Sequence, residues 1–190
     1  MLDDIAQIVI EEIKRQATKK STLLIAIDGR CAAGKTSLAA IINELCDCNV
    51  IHMDHFFLRT EQRTAERLQQ AGGNVDYERF LAEVLIPLYE GRIFSYCPFN
   101  CHKLEMGEPI LIPRKSLNIV EGSYSCHPAL RSYYDMTIFL NVNAEEQIRR
   151  IRFRNGVGDA VKFEKQWIPM EEHYFNAFLI REQCDLFFQT

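Results

Sequence analysis

The sequence has no long basic tract, no apolar run of bilayer length, no internal repeat and no low-complexity stretch, and each absence removes a class of function. With no Lys/Arg run long enough to track a nucleic-acid backbone, and with a formal charge of −4, the chain offers no global basic field, so nucleic acid is not an expected partner. The apolar positions near the start (Leu2, Ile5, Ile8, Val9, Ile13) are spaced as one face of a helix and are interrupted by Asp3, Asp4, Glu11 and Glu12. They predict a packing helix within about residues 1–20 rather than a leader or a membrane span, and no membrane partner. Seven cysteines, an odd number without an export signal, favour reduced thiols and a cytoplasmic protein. Cys46 with Cys48, and Cys97 with Cys101 beside His102, lack the second ligand pair of a zinc site. Also missing are the Asn-Lys-x-Asp and Asp-x-x-Gly motifs of a GTPase switch, which leaves a regulatory GTPase weakly supported.

What is present fits one α/β domain over residues 1–190: at 47% hydrophobic the chain can bury a sizeable core. Its most informative stretch is LLIAIDGRCAAGKTSLAA, residues 23–40. Gly29, Arg30, Cys31, Ala32, Ala33, Gly34, Lys35 and Thr36 spell GxxxxGK[ST], followed by Ser37. The apolar run Leu23–Ile27 suits a buried strand before the motif, and Ser37–Ile42 continues as a helix after it. Two glycines let backbone N–H groups turn inward toward phosphate oxygens, and the helix adds the positive end of its dipole. Lys35 supplies a cation for the β- and γ-phosphates, and Thr36 offers a hydroxyl to Mg²⁺. The segment predicts binding of a nucleoside triphosphate.

The remainder alternates strand-like and helix-like segments. Val50–Met53 is a short apolar run ending at Asp54; Thr60–Gln70 reads as helix, broken by Gly72, Gly73 and Asn74; Tyr77–Tyr89 reads as helix with Pro87 near its end. Residues 92–97 and 108–112 form either a hairpin or an irregular excursion. Strands follow at Leu117–Val120 and Met136–Val142, then a helix from Asn143 to about Arg154, a long helix around Phe163–Phe178, and a last strand near Asp185–Phe188. This alternation predicts a mostly parallel sheet with helices on both faces, with the site beyond the carboxyl ends of its strands. Asp54 and Glu121 then join the P-loop at that edge. Glu121 is a candidate Mg²⁺ ligand, and Asp54 is placed to meet an acceptor hydroxyl, a water or the metal. Both residue types also cap helices and form turns. His52, His127 and His173 show no proton partner and read as structural; Trp167, Tyr174, Phe175 and Phe178 read as packing.

Together GRCAAGKTS, MDHFF, VEGSY and YYDMTIFLN with the Arg-rich helix behind it resemble the uridine kinase and phosphoribulokinase group of P-loop kinases, over roughly residues 22–188. The resemblance implies a P-loop NTPase fold with an Arg-rich lid at about residues 143–165, and it implies ATP, Mg²⁺ and a small-molecule alcohol as partners, with a homo-oligomer among the group's common states. In that group an Asp-x-Phe-Tyr turn supplies the base toward the acceptor hydroxyl; Asp54-His55-Phe56-Phe57 matches it with Phe57 for Tyr. Glu121-Gly122 matches the metal-binding Glu-Gly. GGNVDYERF resembles the acceptor-binding stretch, which implicates Asp76 with ribose hydroxyls, and YCPFNCH implicates Phe99 and His102 with the base. QIRRIRFRN offers Arg149, Arg150, Arg152 and Arg154, of which Arg150 and Arg154 best match the group's phosphate-reaching spacing and lie on one helix face; Asn155 stands for the group's Asp. Some of these arginines also read as a solvated face paired with Glu145 and Glu146. The implied activity is γ-phosphoryl transfer to the 5′-hydroxyl of uridine or cytidine, the alternatives being another alcohol (pantothenate, nicotinamide riboside, a sugar acid), a regulatory P-loop NTPase, or a nucleotide-holding module.

Overall fold

In a computed structural model, the described residues are 2–101 and 103–190. The chain opens with helix α1 (Leu2–Ala17), whose first turn carries Asp3 and Asp4 and whose last carries Lys14 and Arg15, each sign placed where the helix dipole favours it. Strand β1 (Leu23–Gly29), helix α2 (Lys35–Leu45) and strand β2 (Cys48–His52) follow. After a 3₁₀ turn at Met53–Phe56 come α3 (Ala65–Gln69), α4 (Tyr77–Phe80) and α5 (Ile86–Tyr89). An excursion holds β3 (Phe94–Tyr96), β4 (Phe99–Asn100), β5 (Glu105–Met106) and β6 (Ile110–Ile112). The last third contains β7 (Leu117–Glu121), α6 (Pro128–Arg131), β8 (Met136–Asn141), α7 (Ala144–Asn155), α8 (Val157–Lys162), α9 (Ile168–Phe178), α10 (Ile180–Gln183) and β9 (Leu186–Gln189).

Five strands make one parallel sheet in the order β2-β7-β1-β8-β9. Every residue of β1 and β7 is buried, as a parallel sheet covered on both faces requires. Successive side chains still separate by face. Leu23, Ile25 and Ile27 pack with α1 and α2 residues such as Val9, Leu38 and Ile42, while Leu24 and Ala26 pack with Phe56, Phe80, Val84 and Tyr174 on the other side.

One expectation needs correction. Thr60–Gln70 is not one helix but a 3₁₀ turn at Thr60–Gln62 and the short α3. The break falls at Thr64, whose hydroxyl accepts the Arg67 N–H at 3.1 Å and so caps a new helix instead of sitting inside an old one. Of the two alternatives for residues 92–97 and 108–112 the hairpin is the one found: β3 pairs antiparallel with β6, and a second antiparallel pair, β4 with β5, is nested between them. Two π-helical stretches, Leu81–Leu85 and Phe163–Trp167, lead into Pro87 and Pro169. A proline ring clashes with the carbonyl four residues earlier and donates no hydrogen bond, and a widened turn before it relieves both defects without ending the helix.

Candidate active site

Strand register brings the chemistry together. Ile27 of β1 and His52 of β2 are both level with Glu121 of β7, so three chain reversals leave the sheet at one edge: the P-loop from β1, the 3₁₀ turn from β2 and the Gly122 turn from β7. Gly29 sits at φ +131°, and a Cβ there would lie 2.0 Å from the Leu140 carbonyl oxygen; the loop crosses β8 only because this residue has no side chain. Gly122, at φ +136°, admits the turn that holds Asp54, since its added Cβ would lie 2.9 Å from Met53 Cβ and 3.4 Å from Asp54 Oδ1.

Within the P-loop, Lys35 Nζ donates to the Gly29 and Arg30 carbonyls at 2.6 and 2.8 Å and lies 3.3 Å from Ser123 Oγ. Gly34 precedes α2 and gives it no side-chain cap, which leaves the first-turn amides of α2 for an anion. Thr36 Oγ1 donates toward Glu121, 3.2 and 3.1 Å from its two oxygens. Ala32, at φ +61°, takes the left-handed conformation that such a loop demands. Ala33 is buried, while Thr36 and Ser37 face solvent.

Asp54 is exposed to solvent at this edge of the sheet, with protein packed around it on the other sides. Desolvation raises its pKa, with Glu121 and Glu171 adding to the rise and Lys35 and His52 opposing it. His52, expected to have no proton partner, has one: Nδ1 lies 2.5 Å from Glu121 Oε1, and that bond raises the histidine pKa. His52 therefore fixes the orientation of Glu121, which the Thr36 hydroxyl also engages.

Three further residues were missed by sequence reasoning. Asp28 is fully buried and accepts four hydrogen bonds, from Gly29 N (2.6 Å), Tyr124 N (3.2 Å), Cys126 N (2.9 Å) and Tyr174 Oη (2.8 Å). Burial lifts its pKa to about 6 against the opposing pull of the Cys126 amide and Lys35. Ser123 donates to Glu171 Oε1 at 2.5 Å, and Glu171 Oε2 accepts the Cys31 N–H at 3.0 Å. The available signal was positional only: Asp28 directly precedes the P-loop glycine and Ser123 follows Glu121-Gly122. Nothing marks Glu171.

The other implicated residues scatter. Arg150 is half-buried against the P-loop, donating to the Ala32 carbonyl and to Thr190 Oγ1, both at 3.1 Å, and pairing with Glu146. Arg154 is exposed at the end of α7 and bonds Asn155. Arg30 donates to the Val142 carbonyl at 3.3 Å and pairs with Glu172. Asp76 is 4% exposed; it caps α4 by accepting the Arg79 N–H at 3.0 Å and accepts Gln62 Nε2 at 2.6 Å. Phe99 is buried in β4, and His102 lies outside the described residues. Tyr174 and Phe175 are core residues, as expected of them. No helix among the described residues is long and apolar enough to cross a membrane.

Among solved structures, a possible uridine kinase from Bacillus stearothermophilus is similar over 98% of this chain and 96% of its own, with a TM-score of 0.72 at 15% identity. The chain has the fold of a P-loop kinase. A candidate fructose transport system kinase from Silicibacter sp. TM1040 shares that fold over 99% of this chain and 98% of its own (TM-score 0.69, 18% identity). So does a D-glycerate 3-kinase from Cryptococcus neoformans, over 90% and 87% (TM-score 0.60, 12% identity). No family model and no curated protein sequence matches the chain.

The site suits magnesium in a limited way. Among the described residues no group of three or more His, Cys, Asp or Glu could hold an ion by itself. Mg²⁺ is commonly held by one or two carboxylates with waters and substrate phosphates, and the Thr36 hydroxyl beside Glu121, with Asp54 across the Gly122 turn, is a donor set of that kind.

Proposed function

We propose that this chain is an ATP-dependent kinase that transfers the γ-phosphoryl group to an alcohol on a small molecule, with the 5′-hydroxyl of uridine or cytidine as its first candidate acceptor. The observation that carries the reading is the meeting of Lys35, the Thr36–Glu121 pair and Asp54 at one sheet edge. P-loop amides and Lys35 would hold the phosphate chain, and Thr36, Glu121 and Asp54 would hold the metal. Magnesium, when bound, offsets phosphate charge. Asp54 would orient the acceptor hydroxyl and take its proton; a raised pKa keeps it a competent acceptor nearer neutral pH than an ordinary carboxylate. His52 would hold Glu121 in place. Arg150, anchored to the loop, would steady the phosphate site, while the exposed Arg154 would act only after moving toward it.

The acceptor is open to a second reading. Asp76 already spends its carboxylate on a helix cap and Gln62, and Phe99 is packed away, which weakens a nucleoside pocket built from them. The fold is shared with proteins named for fructose and glycerate, and that favours screening other alcohols. The purified protein with Mg·ATP should be offered uridine, cytidine, nicotinamide riboside, pantothenate and sugar acids. Transfer to a nucleoside supports the first reading, and transfer to another alcohol moves the function to the second. ATP hydrolysis without transfer to any of them would recast the chain as a regulatory NTPase.

A further inference from the structure

One buried acid has no part in the reaction above. Glu171, on α9, is 4% exposed, and both of its oxygens are engaged at the P-loop: the Cys31 N–H donates to Oε2 at 3.0 Å and the Ser123 hydroxyl to Oε1 at 2.5 Å. Ser123 Oγ is in turn 3.3 Å from Lys35 Nζ. Glu171 thus presents an anion to a P-loop amide and stands one hydroxyl away from the loop's lysine, the two kinds of group that such a loop offers to phosphate. Its neighbour Glu172 differs. That side chain is a third exposed and makes an ion pair with Arg30 at 2.8 Å, bonded to no P-loop amide. The Glu171 charge is felt through the site, raising the pKa values of Asp54, Cys31 and Tyr124 in concert with their burial.

We propose that Glu171 is a resident anion of the P-loop, a side chain that holds the loop in shape before nucleotide arrives and that the terminal phosphate displaces, so that it sets the affinity of the site for triphosphate. The inference rests on the triphosphate reading of the loop. A carboxylate held by one amide, one hydroxyl and the weakly donating Cys31 thiol is exchangeable, because an incoming phosphate gains the same amide together with Lys35 and the open first turn of α2. Both anions cannot remain in place, since neighbouring like charges in a partly desolvated cleft repel strongly. Glu171 also lies on the helix that follows the lid segment, so its release frees α9 from the Cys31 amide when phosphate binds.

Calorimetric titration of the whole chain with Mg·ATP, and separately with adenosine, tests the assignment. Glu171→Gln keeps a carbonyl for Cys31 and an amide for Ser123 while removing the charge. Its Kd for Mg·ATP should fall by about tenfold or more, adenosine affinity should not change, and Glu172→Gln should alter neither by more than about twofold. A folded Glu171→Gln protein that binds Mg·ATP as the wild type does, or more weakly, overturns the proposal while leaving the kinase reading intact. Failure of both proteins to bind Mg·ATP removes that reading and this inference together. Should the variant not fold, the wild type decides: amide exchange at Cys31 and across 168–178 should change on Mg·ATP, with α9 exchanging faster, whereas unchanged or slower exchange in α9 refutes displacement.

Discussion

Replacing Asp28 separates the architecture of the phosphate loop from its chemistry. Asp28 Oδ1 accepts from Gly29 N and Tyr124 N, and Oδ2 accepts from Cys126 N and the Tyr174 hydroxyl. Asparagine keeps the shape but must put an NH₂ at one of those corners. The better choice is the second, where the Tyr174 hydroxyl can rotate to accept and only the Cys126 N–H is orphaned; the first orphans two backbone amides. One buried unsatisfied N–H costs about 1–3 kcal/mol, and relief from burying a charge offsets part of that, so Asp28→Asn should lose about 2 kcal/mol. Alanine orphans all four donors. At the same rate per group the loss is about 4–12 kcal/mol, as large as the whole stability of a typical domain at about 5–15 kcal/mol. Urea unfolding followed by circular dichroism should therefore show Asp28→Asn folded with a lowered midpoint and Asp28→Ala largely unfolded in buffer. If alanine is tolerated as well as asparagine, the four-donor account of this corner is wrong. Folded Asp28→Asn should bind Mg·ATP nearly as the wild type does, because the Gly29 and Tyr124 amides keep their common acceptor at Oδ1.

Three other outcomes follow from the site. Lys35→Ala should remain folded, since the ammonium bonds only loop carbonyls and Ser123, yet transfer should collapse; wild-type turnover in a folded variant would remove the P-loop assignment. Asp54→Asn should bind Mg·ATP nearly normally while acceptor phosphorylation falls by about 10²- to 10⁴-fold, and an equal loss of ATP affinity would show Asp54 to be mainly a metal or structural group. His127 is 7% exposed, its Nδ1 accepts the Ala129 N–H at 3.3 Å, and burial pushes its pKa down to about 4 from 6.5. The unfolded chain therefore takes up a proton first, and stability present above about pH 6.5 is lost as pH falls toward 4. Stability curves of wild type and His127→Asn should converge over that window by about 1–3 kcal/mol, after discounting for residual contact with solvent; parallel curves would contradict the shift.

How much of this was legible depended on how local each feature is. The P-loop could be read because its function lies in eight consecutive residues whose strand and helix flanks are themselves local patterns. Strands β1, β7 and β8 could be read because each is a short, mostly apolar stretch, and the carboxyl ends of β2 and β7 placed Asp54 and Glu121 at one edge. Asp76 shows where such reading leaves two roles open. An aspartate before Tyr-Glu-Arg-Phe is as good a helix cap as a ribose ligand, and here it bonds the Arg79 N–H. Glu171 and Glu172 are adjacent and chemically identical, but successive helical residues point about 100° apart, and only packing decides which one meets Cys31. Asp28 was hidden by separation: its four donors come from Gly29, the turn after β7 and Tyr174, and no short-range pattern links those positions.

The same geometry explains how a loop half of whose residues are glycine or alanine can be stiff enough to bind phosphate. Glu171 holds the Cys31 N–H, Gln147 donates to the Cys31 carbonyl at 3.1 Å, Arg150 to the Ala32 carbonyl and Thr190 Oγ1 to the Ala33 carbonyl at 3.0 Å, while Arg30 is paired with Glu172. With the carbonyls of Cys31, Ala32 and Ala33 each held by a side chain from outside the loop, these peptide units are fixed in orientation before any ligand is present. The partners come from α7, α9 and Thr190, which means that the Arg-rich helix and the long helix after it both stand on the loop. Between them, Gly156 at φ +84° separates α7 from α8, and neither it nor Gly158 has an atom within 4 Å of an added Cβ. Gly156 and Gly158 are therefore loosely packed. Arg150 lies on the clamped side of that break and Arg154 only two residues from it, so in the proposed reading two arginines that look equivalent by spacing would differ in their work: Arg150 would steady the P-loop, and Arg154 would have to swing toward it.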